Sequence, residues 1–359
     1  MKKCTGTALA RGGPRRSLSE AEAAAPGPNA TTFLLRNVMK LFGHRGASSR
    51  CPENTRAAFE NALSGDGGKY PAVTGVECDL HLLRDGTVVV LHDDTLRRTA
   101  DHAVNAAHEA VVDVDVSELT WQQVSAIDVG AWKGEEWKGQ RVLPVGDFLG
   151  IIAAHDGASA LVELKGGDQA MVDPAVAAAT AAIERGLPAP SIWWISFDLD
   201  LVTAMKRRMP ATSAWHVAHV RPDEGEARCL ELVAAAAAAG IDGVDIAGLP
   251  DVLTQRVFEA AAEAGIGVGV WVSAGLASRY ALQLDKAESC ALFARRGAVV
   301  RAEPYFLGPF VAWLPSHNCD GVAVSFSRPT CPTPCGTGGT KRRSARFSAD
   351  FTWRERGLF

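Results

Sequence analysis

The chain has 359 residues, 47% of them hydrophobic and 22% charged, with a net charge of −4. That balance supports a large buried core and excludes a fibrous or wholly disordered protein. Charge is uneven: residues 1–39 and residues 330–359 each hold six basic against two acidic residues, a net of +4 apiece, which leaves −12 for the body between them. So acidic a body argues against nucleic acid as a partner and suits a cation-binding enzyme. No uncharged apolar run approaches the ~18 residues of a membrane span, so no transmembrane segment is expected. The eight cysteines include no CxxC pair and form no dense framework, which favours a reducing compartment and a cytoplasmic location. Residues 1–39, rich in Ala, Gly, Pro and Arg, are expected to be disordered or an organellar targeting segment. Residues 330–359 are expected to be a disordered basic tail.

From residue 40 short apolar runs alternate with helical patterns. A strand over Lys40–His44 precedes a helix over Asn54–Leu63 and a strand over Thr74–Asp79. The turn Arg84-Asp85-Gly86 predicts that Thr87–Leu91 folds back as a hairpin. Residues 93–146 read as irregular, with one helix near Trp121. A helix over Phe148–Ala154 leads to a strand over Ser159–Leu164 and a helix over Val172–Arg185. The alternation continues with Ile192–Ile195 (strand), Leu199–Arg208 (helix), Thr212–His216 (strand) and Ala227–Ala239 (helix). Then come Asp242–Ile246 (strand), Val252–Ala264 (helix) and Gly267–Val272 (strand). A helix near Tyr280–Phe293 and a strand near Gly321–Ser325 end the series. Outside the hairpin this makes eight strands, which predicts one α/β domain over residues 40–329: a single (β/α)8 TIM barrel with a small hairpin arm after strand 2. A doubly wound sheet would want a Gly-rich phosphate loop after the first strand, and none is there.

In such a barrel chemistry lies at the C-terminal strand ends. The first strand ends in Gly43-His44-Arg45-Gly46, with a proton carrier and an anion-gripping guanidinium between two small residues. Glu77 and Asp79, two apart on the second strand, project from one face. Two inward carboxylates repel each other and are costly to bury unpaired, and a hard divalent cation, Mg2+ or Ca2+, resolves both problems. His92 and Asp93 follow the hairpin's apolar run. Glu163 and Lys165 share a strand face, as a third metal ligand and a phosphate partner or as an internal ion pair. Phe197 and Trp271 stand at further strand ends, either lining a substrate or packing in the core.

The series Gly43-His44-Arg45-Gly46, Pro52-Glu53-Asn54-Thr55, Glu77-x-Asp79, Asp85-Gly86, His92-Asp93, Glu163-x-Lys165 and Ser196-Phe197 resembles the glycerophosphodiester phosphodiesterase family over roughly residues 40–275. The resemblance implies a TIM barrel that uses a divalent cation to hydrolyse small glycerophosphodiesters to an alcohol and glycerol 3-phosphate. It implies His44 and His92 as the acid–base pair and Glu77, Asp79 and Glu163 as metal ligands. Arg45 and Lys165 are implied as phosphate partners, with Phe197 and Trp271 as the substrate wall. Three departures stand out. The family's WTVN motif is here Trp271-Val272-Ser273-Ala274, its final strand is only echoed by Cys319–Ser325, and the stretch before it, Gly297–Pro315, reads as longer and less regular than expected. A related barrel acting on lysophospholipids and a non-catalytic barrel are the alternatives.

Overall fold

Eight parallel strands close on themselves around an interior of large side chains, as expected of a TIM barrel. The structure is a computed structural model that describes residues 40–65, 72–249, 251–272 and 299–302, all within one unit, Met1–Val324. In chain order the strands are β1 (Leu41–Gly43), β2 (Gly75–Leu82), β3 (Val88–Val90), β4 (Leu143–Pro144) and β5 (Ser159–Leu164). They continue with β6 (Ile192–Ser196), β7 (Ser213–Ala218), β8 (Gly243–Ala247), β9 (Gly267–Val272) and β10 (Val299–Ala302). The helices are α1 (Arg56–Ser64), α2 (Glu109–Val112), α3 (Trp121–Val124), α4 (Val145–Ala153), α5 (Val172–Glu184), α6 (Leu199–Arg208), α7 (Gly225–Ala239) and α8 (Gln255–Glu263). The barrel order is β1-β2-β5-β6-β7-β8-β9-β10 and back to β1.

The closing strand is not where the sequence put it. Val299–Ala302 pairs in parallel with β9 on one side and β1 on the other, with Val300 opposite Leu41. It lies in a stretch that reads as irregular because its apolar run is only two valines long. The strand expected near 321–325, the helix near 280–293, Ser273, Ala274 and both basic tails lie outside the described residues.

Parallel strands are buried on both faces, and the two-residue alternation sorts their side chains. Val76, Cys78, Val162 and Trp194 point outward into one large core with the helices. Phe42, Leu161, Ile195, Trp215 and Val217 fill the interior. Trp193 stacks on Trp215 at 5.2 Å between ring centres. Space for the Trp215 ring comes from glycines on the next strands. A Cβ at Gly243 or Gly267 would lie 2.4 or 2.3 Å from that ring. Thr55 caps α1 by accepting from Ala58 N–H, and Asp198 caps α6 by accepting from the Asp200 and Leu201 N–H groups.

The arm is larger than a hairpin. β3 pairs antiparallel with the end of β2 as expected, and β4 adds to β3. Residues between them build a core of their own from Val89, Leu96, Val112, Val116, Val124 and Ile127. Of the region that reads as irregular, α2 and several single helical turns are ordered, and α3 is the helix expected near Trp121. Asp85 ties the hairpin turn down, accepting from the backbone N–H of Thr87 (3.1 Å) and of Trp121 (2.8 Å).

Candidate active site

Glu77 and Asp79 face the barrel interior from the third and fifth positions of β2, and both are 0% exposed. Asp79 is the register partner of Glu163 on β5. Two strands thus bring three carboxylates together, with one oxygen from each within 4.8 Å of the others. All three are buried. Buried carboxylates need cationic or hydrogen-bonded partners, and each finds them here. Lys165 Nζ lies 2.6 Å from Glu163 Oε1 and 3.0 Å from Asp79 Oδ1. Arg45 Nε lies 3.3 Å from Asp79 Oδ2, and Asn54 donates to the same oxygen at 2.8 Å. Glu163 and Lys165 therefore form the internal ion pair that the sequence allowed, and it stands at the carboxylate cluster.

Burial alone would push the Asp79 carboxyl up. Lys165 and Arg45, helped by His92 and His44, outweigh it and hold Asp79 well below the usual carboxylate range. Burial likewise lowers Lys165 and Arg45, but Asp79, together with Glu163 or Glu53, more than offsets it and raises both. Both stay charged. Three carboxylates meet two cationic side chains here, and the cluster's donors are all oxygen. That set fits one hard divalent cation.

The loop after β1 is shaped by backbone strain. Arg45 (φ 55°) and Asn54 (φ 56°) both sit in the left-handed region. Arg45 N–H donates to Glu77 Oε2 at 2.8 Å, and Asn54 N–H donates to the Arg45 carbonyl at 3.2 Å. Gly46 (φ +77°) passes so close to α1 that a Cβ would lie 2.6 Å from the Ala58 carbonyl carbon. The loop holds His44 with its Nε2 3.9 Å from Glu77 Oε2.

His92 enters from the arm side. Leu91 N–H donates to the Asp79 carbonyl at 2.9 Å, which sets the next residue beside the cluster. His92 Nδ1 lies 2.6 Å from Asp93 Oδ1, and the His92 carbonyl is 3.1 Å from His81 Nε2. Burial opposes ionisation of Asp93, but its contacts with His92 and Arg98 hold the carboxyl below the usual range. An ionised Asp93 fixes the Nδ1–H tautomer and leaves Nε2 to exchange a proton.

Phe197 and Trp271 belong to one aromatic group. His219 stacks on Phe197 (5.4 Å) and meets Trp271 edge-on (4.7 Å). Phe197 is 47% exposed, unlike the packed core aromatics. A cleft of about 460 Å3 runs from Glu163 and Lys165 past Ser196 to Phe197 and Asp198. Reading the motifs did not single out His219, which lies just beyond the end of β7. Nor did it assign Glu53, which here accepts from Arg45 Nη1 at 2.9 Å, or Arg98.

A model of the glycerophosphoryl diester phosphodiesterase family matches residues 44–278. The chain belongs to that family. It is 30% identical over 116 residues to a glycerophosphodiester phosphodiesterase of Caldanaerobacter subterraneus subsp. tengcongensis, covering 32% of this chain and 41% of the relative. A second, from Bacillus altitudinis, is 32% identical over 95 residues, 26% of this chain and 36% of that one. The chain spans under half the length of the curated relatives it matches. The fold is shared with a phosphodiesterase from Oleispira antarctica solved with the product sn-glycerol-3-phosphate. The TM-score is 0.58 at 20% identity, over 79% of this chain and 99% of that one. All the motifs that carry the resemblance from His44 onward fall inside the matched span.

Proposed function

We propose that this protein hydrolyses glycerophosphodiesters, glycerophosphocholine among them, to an alcohol and sn-glycerol 3-phosphate with the aid of one divalent cation. The observation that carries this is the buried Glu77–Asp79–Glu163 cluster, with two histidines and two cationic side chains against it. Glu77, Asp79 and Glu163 would hold Mg2+ or Ca2+, which would supply Lewis-acid neutralisation of phosphate charge and acidify the attacking hydroxyl. Arg45 and Lys165 stand ready to stabilise charge developing on the phosphoryl oxygens. One histidine takes the proton of the attacking hydroxyl. The other gives a proton to the leaving alkoxide as the P–O bond breaks. The net reaction adds one water across that bond. Phe197 and Trp271 form the wall for the apolar part of the substrate. The domain runs over residues 40–329 between two basic tails. The unpaired thiols Cys51, Cys78 and Cys229 suit a reducing, cytoplasmic setting.

The test is release of glycerol 3-phosphate from glycerophosphocholine, with and without chelator. Release that stops with chelator and returns with Mg2+ or Ca2+ is expected. Full activity in excess chelator overturns the cation, and no release overturns the hydrolase. A parallel lysophospholipid assay separates the alternative substrate class.

A further inference from the structure

Arg98 lies on the arm, outside every motif that carries the family resemblance. Its guanidinium reaches two carboxylates at once. Nε and Nη2 donate to the two oxygens of Asp93 at 2.7 and 3.0 Å, and Nη1 and Nη2 donate to the two oxygens of Glu53 at 2.7 Å each. Both pairings are two-pronged, the strongest geometry a guanidinium offers a carboxylate. Each carboxylate also holds a site residue. Asp93 Oδ1 lies on His92 Nδ1, and Glu53 Oε1 accepts from Arg45. The chain of contacts therefore runs His92–Asp93–Arg98–Glu53–Arg45, across the arm and the loop after β1.

Anchoring of the arm does not need this network. β3 is laddered to β2, and the arm has its own apolar core. A partly exposed ion pair adds little to stability in any case. The neighbouring Arg97 shows what an ordinary surface pairing looks like here, with one contact to Asp113 at 2.8 Å and 69% exposure. What Arg98 adds is a fixed relation between two site residues that come from different segments.

We propose that Arg98 is a positioning residue that locks Glu53 and Asp93 in one frame and so sets Arg45 and the His92 ring in working register. The proposal rests on the hydrolase reading for its rate effect, but not for its geometry. Lysine at this position keeps the charge and loses the fork.

The test compares Arg98→Ala, Arg98→Lys and the control Arg97→Ala in the full chain. Removal of a residue that supports a site ligand typically costs about 10–100-fold in activity. Arg98→Ala is expected to lose kcat in that range while circular dichroism stays native, Arg98→Lys to recover only part of it, and Arg97→Ala to match the wild type. In an Asp93→Asn background, Arg98→Ala is expected to cost less than it does alone, since the His92 branch is already broken and only the Glu53–Arg45 branch remains. Independently of activity, 15N shifts of the His92 ring, assigned with His92→Gln, report which nitrogen carries the proton. They are expected to show the Nδ1–H form in the wild type and a mixture of tautomers in Arg98→Ala, where Asp93 is no longer held against the ring. An unchanged tautomer overturns the proposal, and so does kcat within about threefold of wild type in either Arg98 variant or full additivity with Asp93→Asn. If Arg98→Ala does not fold, Arg98→Lys carries the same readouts. An inactive wild type refutes the hydrolase reading instead, and the ring shifts then decide the positioning by themselves.

Discussion

Asp79 on β2 and Glu163 on β5 are direct register partners, although the whole arm lies between them in the chain. Their side chains meet only because β3 and β4 leave the barrel and β5 returns beside β2. Asp79 is the hub: Lys165, Arg45 and Asn54 all converge on it. Asp79→Asn keeps the shape and removes the charge. It is expected to lower activity by about 100-fold or more and to abolish tight divalent-cation binding. Titration calorimetry with Mg2+ and Ca2+ checks the second effect without reference to turnover, and wild-type affinity in the variant contradicts the assignment.

His44 and His92 stand on opposite supports, one on the loop after β1 and one on the arm side. Each proton transfer is typically worth about 10²–10⁴ in rate. His44→Ala and His92→Ala are each expected to lose activity in that range while circular dichroism stays native. A folded variant with near-normal release of glycerol 3-phosphate removes that histidine from the mechanism.

Gly46 permits the turn that aims Arg45. Gly46→Ala must hold alanine at φ +77° with its methyl against the Ala58 backbone. Strain of this kind costs on the order of 1–3 kcal/mol. Urea denaturation is expected to show that loss, and activity is expected to fall further than stability because the loop carries His44 and Arg45. A variant as stable and active as the wild type would show that the loop can shift freely.

Glu53 and Asp93 are both held below the usual carboxylate range. Burial works against this in each, and the Arg98 contacts, with Arg45 at Glu53 and His92 at Asp93, overcome it. A carboxyl depressed in the folded state adds stability above its unfolded pKa, about 4, and loses it as pH falls toward the folded value. The thermal midpoint is therefore expected to drop as pH falls below about 4. The slope should be shallower in Arg98→Ala, where both carboxyls return toward ordinary values. Equal slopes in the two proteins would deny the coupling.

Much of the site was legible because strand side chains alternate. The spacing of Glu77 and Asp79, and of Glu163 and Lys165, placed each pair on one face, and burial of the apolar neighbours Val76, Cys78 and Val162 fixed which face. What failed was either too short or too distant to leave a pattern. Val299–Ala302 closes the barrel with four residues, too few to show a period. Arg98 meets Glu53 across 45 positions, and no local periodicity encodes a contact between two loops. His219 stacks on Phe197 and meets Trp271 edge-on, and no local pattern encodes that meeting of separate strand ends.

Strand β2 is shared property. Its first half is a stave of the barrel and carries both inward carboxylates, while its last residues, Leu80–Leu82, are the root of the arm's ladder. A disturbance deep in the arm therefore reaches the reaction centre through a single stiff segment rather than across a loose joint. Loosening the arm's packing at Leu96 or Val112 alters no group that touches substrate, yet it should tilt the strand on which Glu77 and Asp79 ride.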